Sequence, residues 1–356
     1  MPFTLCLFPF ALCPLRYALC DFSDIRRLRM TERTFLEDVA QPYSISSLGH
    51  ARTWEVKNLK TGAPLPPLMY VVESELGQRF LLGREICGRP KFNIIRYIAK
   101  SFVDLFFEQL KGRHLCQYLI LRGAYPFDLQ HPMGAAPPYD LVLLPTGFIK
   151  LQRILDRNGT DWEIQSLNLI GEYRGDTWLI PDTAIASGST IAFFLRNGFT
   201  HHLPKRVYIF TACGSLEGIQ RIYRECEKYG VELVPVFSQC IFEVSKVGNL
   251  PGLPLTDLSV VSQGSITTKA FYDKAFQRFQ GTGMCCVGDI GESLEDPTKY
   301  AIHTLWEMQT LGMNPHKENW NNWTVNVRQK EFQEKVNHFN PALFEYFKEV
   351  WKGATP

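Results

Sequence analysis

DTWLIPDTAIASGST, residues 176–190, is the most informative stretch of the sequence. An apolar run from Trp178 to Ile180 leads to a carboxylate, Asp182, and then to small and hydroxyl residues that open a second apolar segment. Small residues let backbone N–H groups approach an anion, and the positive end of a following helix aims at the same point. The stretch therefore predicts a strand, an anion-binding loop and a helix. It contains neither GxxxxGKS/T nor GxGxxG, so it indicates neither a P-loop nor a dinucleotide fold.

Short apolar runs recur on both sides of this stretch, and helical segments separate several of them. The runs lie at 118–121, 139–144, 178–180, 206–210 and 231–237, and the helical segments lie at 189–197 and 215–229. Short buried strands that alternate with helices are typical of a parallel sheet with helices packed on its faces. The sequence therefore predicts an α/β fold, with a mainly parallel sheet flanked by helices and with N- and C-terminal additions.

Upstream of these strands the sequence predicts a hairpin and a long helix. After a turn-rich segment at 62–67, the apolar run 68–72 and residues 79–83 are expected to pair as the two strands of the hairpin. Residues 93–111 place apolar side chains at helical spacing, and Gly112 ends that segment.

The pattern divides the chain into a core and two flanking regions. A strand and helix region at 30–112 precedes the predicted core at 113–312, and a helical extension follows at 313–356. Residues 240–280 look irregular apart from a helix at 268–280, and another helix is expected at 298–312. The charged, aromatic-rich segment 317–352 is expected to be a helix that docks on the domain or on a second subunit.

The first 29 residues differ from the rest of the chain. They are apolar, carry three prolines and place Cys6, Cys13 and Cys20 at seven-residue intervals. No basic residue precedes Arg16, which argues against a secretory signal. The segment is expected to be peripheral, and an alternative is that translation starts at Met30.

Composition narrows the class of protein. The 356 residues include 38 Lys and Arg against 36 Asp and Glu, a net charge of +2 that gives no electrostatic case for binding nucleic acid or a membrane surface. No apolar run approaches the roughly 18–20 residues of a membrane helix. The 10 cysteines form no CxxC pair, which favours a reducing, cytoplasmic compartment over a disulfide scaffold.

The segment from Asp182 to Thr190 resembles the phosphoribosyl-pyrophosphate (PRPP) motif of type I phosphoribosyltransferases. The family pattern is an apolar strand, acidic residues and then A-T-G-G/S-S/T, and the uracil phosphoribosyltransferase branch, with Asp-Pro, is the most similar. The resemblance implies that Asp182 binds the ribose hydroxyls of PRPP. It also implies a binding loop for the 5′-phosphate, made by Thr183, Ala186, Ser187, Gly188, Ser189 and Thr190.

Two further segments resemble the same branch, in the same order along the chain. Residues 119–124, LILRGA, resemble its P-I-L-R-A-G pyrophosphate loop, and residues 170–174, IGEYR, resemble its I-G-x-Y-R segment. The resemblance implies that Arg122, with Gly123 in the turn, and Arg174 pair with the leaving pyrophosphate, for which the planar guanidinium is suited.

A fourth segment, Gly288-Asp289-Ile290-Gly291-Glu292, resembles the G-D-x-G-D stretch of the uracil site. The resemblance implies that Gly288, Asp289 and Ile290 read the base. It also implies Mg²⁺ as cofactor, held mainly by PRPP oxygens, with Asp289 as a further candidate ligand. The family's next residue, an arginine, is Ser293 here.

Three functions remain open at this point. The first is a cytoplasmic, homo-oligomeric salvage enzyme that transfers the phosphoribosyl group of PRPP to uracil or a related base. The second is a PRPP- or nucleotide-binding regulator without catalysis. It is motivated by three departures from the family pattern: Thr183 replaces the proline of the uracil branch, Ser187 replaces the usual threonine, and Ser293 replaces the arginine. The third is an enzyme of the same fold with another acceptor, which the altered base segment and the large terminal additions suggest.

Overall fold

A ten-stranded sheet runs through the described part of the chain and carries helices on both faces. The structure, a computed structural model, describes residues 51–56, 63–83, 86, 89–121, 124–134, 141–155, 162–244, 251–254 and 271. In chain order the strands are β1 (Arg52–Glu55), β2 (Tyr70–Glu73), β3 (His114–Ile120), β4 (Val142–Leu155), β5 (Trp162–Ile170), β6 (Thr177–Ile185), β7 (Arg206–Ser215), β8 (Glu232–Ser238), β9 (Ile241–Val244) and β10 (Pro251–Pro254). The α-helices are α1 (Glu75–Leu82), α2 (Arg89–Leu110), α3 (Gln130–Gly134), α4 (Ser189–Gly198) and α5 (Leu216–Lys228), and a 3₁₀ turn covers Tyr125–Phe127.

The strand order of the sheet is β1-β2-β8-β7-β6-β3-β4-β5. Six consecutive strands of this order are parallel to one another: β2, β8, β7, β6, β3 and β4. The edge strands β1 and β5 pair antiparallel with β2 and β4. A small hairpin, β9–β10, attaches to the end of β7. A mainly parallel sheet flanked by helices confirms the predicted α/β fold class.

The helices form two layers, one on each face of the sheet. Trp178 of β6 pairs in register with Val207 of β7, and its ring lies 5.8 Å from the ring of Phe194 in α4. Phe210, three residues further along β7, points to the opposite face because side chains alternate along a strand. There its ring lies 5.4 Å from the ring of Phe102 in α2. Thus α2 covers one face and α4 the other.

The segment 79–83, predicted as a hairpin strand, belongs instead to the helix α1. Ser74 caps this helix, since its hydroxyl accepts a hydrogen bond from the backbone N–H of Gly77 at 2.9 Å. Leu76 and Phe80 lie four residues apart and are both buried, which is helical spacing. The hairpin prediction is therefore wrong, and β2 pairs with β1 and β8 instead.

The other expectations for this part of the chain have mixed outcomes. The long helix predicted at 93–111 is confirmed as α2, and Gly112 follows it with φ +71. Residues 240–280 are less irregular than predicted, because β9 and β10 lie within them. Phe271 is helical and buried, and the rest of the helix predicted at 268–280 lies outside the described residues, as do residues 1–29, 298–312 and 317–352.

The strands β4 and β5 form a long arm where the sequence predicted only a strand at 139–144. Ile149 of β4 pairs with Ile120, the last residue of β3, and residues 150–155 continue beyond it, paired with β5. At about 3.3 Å per residue, the arm extends roughly 20 Å past the end of β3.

None of the helices in the described ranges has the length and apolar character needed to cross a membrane.

Candidate functional site

The order of the strands places a crevice between β3 and β6. These two strands are parallel neighbours, but the chain leaves them in opposite directions, from β3 to β4 on one side and from β6 to β7 and β8 on the other. In open α/β sheets, ligands bind outside the carboxyl ends of the strands at such a switch point. The segments that follow β3 and β6, which both carry predicted site residues, therefore flank the expected binding crevice.

Asp182 lies at the level where β3 ends. The register pairs Gln117 with Leu179, and the same offset sets Asp182 beside Ile120, the last residue of β3. The side chain of Asp182 is half-buried, and its Oδ1 accepts a hydrogen bond from the backbone N–H of Ala184 at 3.3 Å. β6 continues for three residues beyond Asp182, so the carboxylate stands on the strand itself, before the loop.

The loop after β6 brings the start of α4 to the crevice without a side-chain cap. The N-cap residue is Gly188, with φ +69, and it has no side chain with which to cap the first turn of the helix. The hydroxyls of Ser187 and Ser189 lie 2.7 Å apart beside it. The first N–H groups of a helix lack partners within the helix and favour anions. The loop is therefore suited to an anion such as phosphate.

The first turn of α5 supports this loop from behind. Ser215, the last residue of β7, accepts a hydrogen bond from Gly218 N at 2.9 Å and donates one to the carbonyl oxygen of Ala186. A Cβ on Gly188 would lie 2.9 Å from Gly218 Cα and closer still to its carbonyl oxygen. The backbones of the loop and of α5 thus touch directly. Sequence reasoning missed this support, for which the only signal was a serine three residues before a glycine at a strand end.

The turn after β3 is fixed by hydrogen bonds on both sides. The backbone N–H of Leu121 donates to Ile149 O at 2.8 Å, and that of Ala124 donates to Ile120 O at 3.1 Å. The predicted pyrophosphate residues between them, Arg122 and Gly123, lie outside the described residues.

A buried glutamine anchors the segment that follows this turn. Gln117 is 1% exposed, and its Oε1 accepts a hydrogen bond from Leu129 N at 2.6 Å. Its Nε2 donates to Asp128 Oδ1 at 2.7 Å and to Thr146 Oγ1 at 3.2 Å. The chain is therefore held in place on β3 both immediately before and shortly after the predicted pyrophosphate loop.

The structure does not bring Arg174 together with Asp182. The backbone N–H of Arg174 donates to the Tyr118 hydroxyl at 3.0 Å, and Trp178 Nε1 donates to its carbonyl oxygen at 2.8 Å. Trp178 lies four residues before Asp182 on β6, about 13 Å along the strand. The guanidinium lies 3.6 Å from the Glu172 carboxylate. Order along the chain matched the resemblance, but the segment carrying Arg174 runs toward the amino ends of β3 and β6.

The predicted base-binding residues Gly288, Asp289 and Ile290 lie outside the described residues. The described hairpin β9–β10 lies at the carboxyl end of β7, the same end of the parallel strands as the loop after β6. β9 pairs with β7 at Gly214 and Ser215, the residues that lead into α5.

A cleft of about 490 Å³ is lined by residues of α4 and α5, and its lining includes Ser189 at the start of α4. Two of its basic residues, Arg196 and Lys228, bind the carboxylate of Glu225, whose side chain is 6% exposed, at 2.7 and 3.1 Å. Burial raises the pKa of Glu225, but the hydrogen bonds and charges of these two cations outweigh it, so the pKa lies below its ordinary value. These charges join the two helices.

Among the described residues, no group of three His, Cys, Asp or Glu side chains converges to hold a metal ion. Within residues 182–190 of the described chain, Asp182 supplies the one carboxylate, and serine and threonine side chains supply hydroxyls. These hard donors suit Mg²⁺ but are too few to enclose it, so a bound ligand would have to supply most of the coordination.

Comparison with known proteins identifies similar solved structures but no related sequence. No protein family and no curated protein matches the chain. The similar structures include the AQ2163 protein from Aquifex aeolicus, with 18% identity over 49% of this chain and 88% of that chain and a TM-score of 0.38. A hypoxanthine phosphoribosyltransferase from Staphylococcus aureus has 18% identity, covers 33% of this chain and 61% of that chain, and has a TM-score of 0.27. APRTase from Giardia lamblia complexed with 9-deazaadenine has 9% identity, covers 55% and 98%, and has a TM-score of 0.31. At these sequence identities and TM-scores, the similar structures carry no argument about function.

Proposed function

We propose that this protein is a Mg²⁺-dependent phosphoribosyltransferase, which transfers the phosphoribosyl group of PRPP to uracil or a related base and releases pyrophosphate. One observation carries the proposal: the N-terminus of α4, without a side-chain cap, follows a strand carboxylate at the switch point of a parallel sheet. The helix N-terminus favours a phosphate, and the carboxylate can accept hydrogen bonds from the hydroxyls of a neighbouring sugar.

The ligand groups follow the order of the residues along β6. The 5′-phosphate binds the N–H groups and hydroxyls of residues 186–190, where the helix N-terminus favours negative charge. Asp182, just before this loop on the strand, accepts hydrogen bonds from the ribose hydroxyls. The pyrophosphate extends toward the turn after β3, where Arg122 pairs with it.

The reaction exchanges one bond at the anomeric carbon for another. The bond from this carbon to the pyrophosphate oxygen breaks as a ring nitrogen of the base attacks, and the proton on that nitrogen is released to solvent. The transition state resembles an oxocarbenium ion, as in glycoside hydrolysis. Catalysis then consists of alignment and of stabilising the departing charge, for which Arg122 and Mg²⁺ bound by PRPP oxygens are proposed, with Asp289 as a further ligand.

The position of Arg174 favours a second candidate, a PRPP-binding regulator without catalysis. An enzyme gains from two cations on the leaving pyrophosphate, but the carbonyl oxygen of Arg174 is bound by the side chain of Trp178, which lies about 13 Å before Asp182 along the strand. A binder needs only the phosphate loop and the ribose carboxylate.

The experiment combines pyrophosphate release with calorimetric binding of PRPP in the presence of Mg²⁺ and a panel of bases. We expect release with at least one base. We expect Asp182→Asn to lower the affinity for PRPP by about 10- to 100-fold, the value of hydrogen bonds to a charged group. Asp176→Asn, which changes a carboxylate just before the other end of β6, is the matched control and leaves the affinity unchanged.

Three other outcomes are informative. Binding of PRPP without release for any base favours the regulator. Release with a base unrelated to uracil favours a different acceptor. Normal affinity in Asp182→Asn would contradict the assignment of the crevice.

A further inference from the structure

Two helices of this protein begin with the same cap. Ser74 starts α1 and Ser215 starts α5, and each hydroxyl accepts a hydrogen bond from the N–H of a glycine three residues on, Gly77 and Gly218, at 2.9 Å in both cases. A serine cap of this kind satisfies one of the free N–H groups of the first turn. As helix caps, the two serines are equivalent.

Ser215 also makes a second bond, which reaches a different element. It is fully buried, and its hydroxyl donates to the carbonyl oxygen of Ala186 in the loop after β6. Gly218 keeps the space for that carbonyl open, because a Cβ at Gly218 would lie 3.0 Å from Ser215 Oγ and closer still to Ala186 O. One hydroxyl therefore joins the first turn of α5 to the loop.

We propose that Ser215 is a positioning residue for the phosphate-binding loop; the ligand named here rests on the proposed function. In a trans peptide the C=O and the following N–H point in opposite directions. Since Ala186 C=O points at Ser215, the N–H of Ser187 points away from α5. Ser215 thus fixes the orientation of this peptide group, whose N–H side faces away from α5, without itself touching the ligand.

The test compares Ser215→Gly with the matched control Ser74→Gly. Glycine replaces serine as a helix cap at a small cost, so both variants should fold. Ser215→Gly also removes a buried partner of Ala186 O and should therefore lower the Tm more than Ser74→Gly does. Ser215→Gly removes the bond to Ala186 and should weaken PRPP binding about tenfold in calorimetry. In kinetics it should raise the KM for PRPP and leave kcat unchanged. Ser74→Gly should leave both values unchanged.

Amide hydrogen exchange of the peptide 186–192 supplies a measurement that does not depend on PRPP. We expect faster exchange in Ser215→Gly and wild-type exchange in Ser74→Gly. If the wild type binds no PRPP but the exchange still rises in Ser215→Gly, the proposed function fails and the positioning role stands. If exchange and PRPP affinity are the same in both variants, the positioning role is overturned.

Discussion

Replacing Gly188 by alanine tests the close contact between the loop and α5. Gly188 has φ +69, a left-handed conformation that costs an ordinary residue about 1–2 kcal/mol. The new Cβ would also lie 2.9 Å from Gly218 Cα, and because both partners are backbone, a shift of the main chain is needed. Such overpacking costs about 1–3 kcal/mol. We therefore expect Gly188→Ala to lower the free energy of unfolding by roughly 2–5 kcal/mol.

Gly112→Ala is the control that separates the two contributions. Gly112 has nearly the same φ, +71, but no described atom lies within 4 Å of its Cβ position, so only the conformational cost of about 1–2 kcal/mol applies. Equilibrium unfolding in urea measures both variants, with unchanged m-values as the check that the states compared are the same. If Gly188→Ala is no more destabilising than Gly112→Ala, the backbone contact between the loop and α5 does not constrain the fold.

Two further substitutions test the charges described above. Glu225→Gln removes the carboxylate shared by Arg196 and Lys228 and should lower the free energy of unfolding at pH 7 by about 1.5–3 kcal/mol. Because folding lowers the pKa of Glu225, this difference should be complete above the ordinary carboxyl value of about 4.3 and should shrink as the pH falls through the lower folded value, as urea unfolding between pH 7 and pH 3 would show. Arg174→Gln should leave the calorimetric affinity for PRPP within about twofold of wild type, since its segment lies away from Asp182. A tenfold loss would show that Arg174 reaches the ligand.

The parts of the fold that the sequence predicts well are those with strong, unbroken periodicity. Residues 93–111 carry five turns of helical spacing, and α2 is the result. The strands around Trp178, 206–210 and 231–237 are apolar on both faces because helices cover both sides of the sheet, so they are recognisable as short buried runs.

The failures also have physical causes. In α1, the adjacent apolar residues Phe80, Leu81 and Leu82 are typical of a strand as well as of a buried helix, and only the cap at Ser74 distinguishes the two. In β5 the alternation of polar and apolar residues is interrupted at Gln165 and Ser166, where the register with β4 shifts, so the strand pattern is split into two short pieces. For Arg174, a sequence motif fixes the order of residues but not the end of the sheet at which a connecting segment lies.

The stagger between the ends of β3 and β6 sets the distance between the starts of the two loops that a ligand would bridge. Neighbouring strands are about 4.8 Å apart, and β6 runs three residues, about 10 Å, past the level where β3 ends. The main-chain ladder sets both lengths, and no side chain can adjust them. Changes among the loop residues can thus alter how tightly a ligand is bound, whereas the distance between the two strand ends from which the loops start is set by strand geometry.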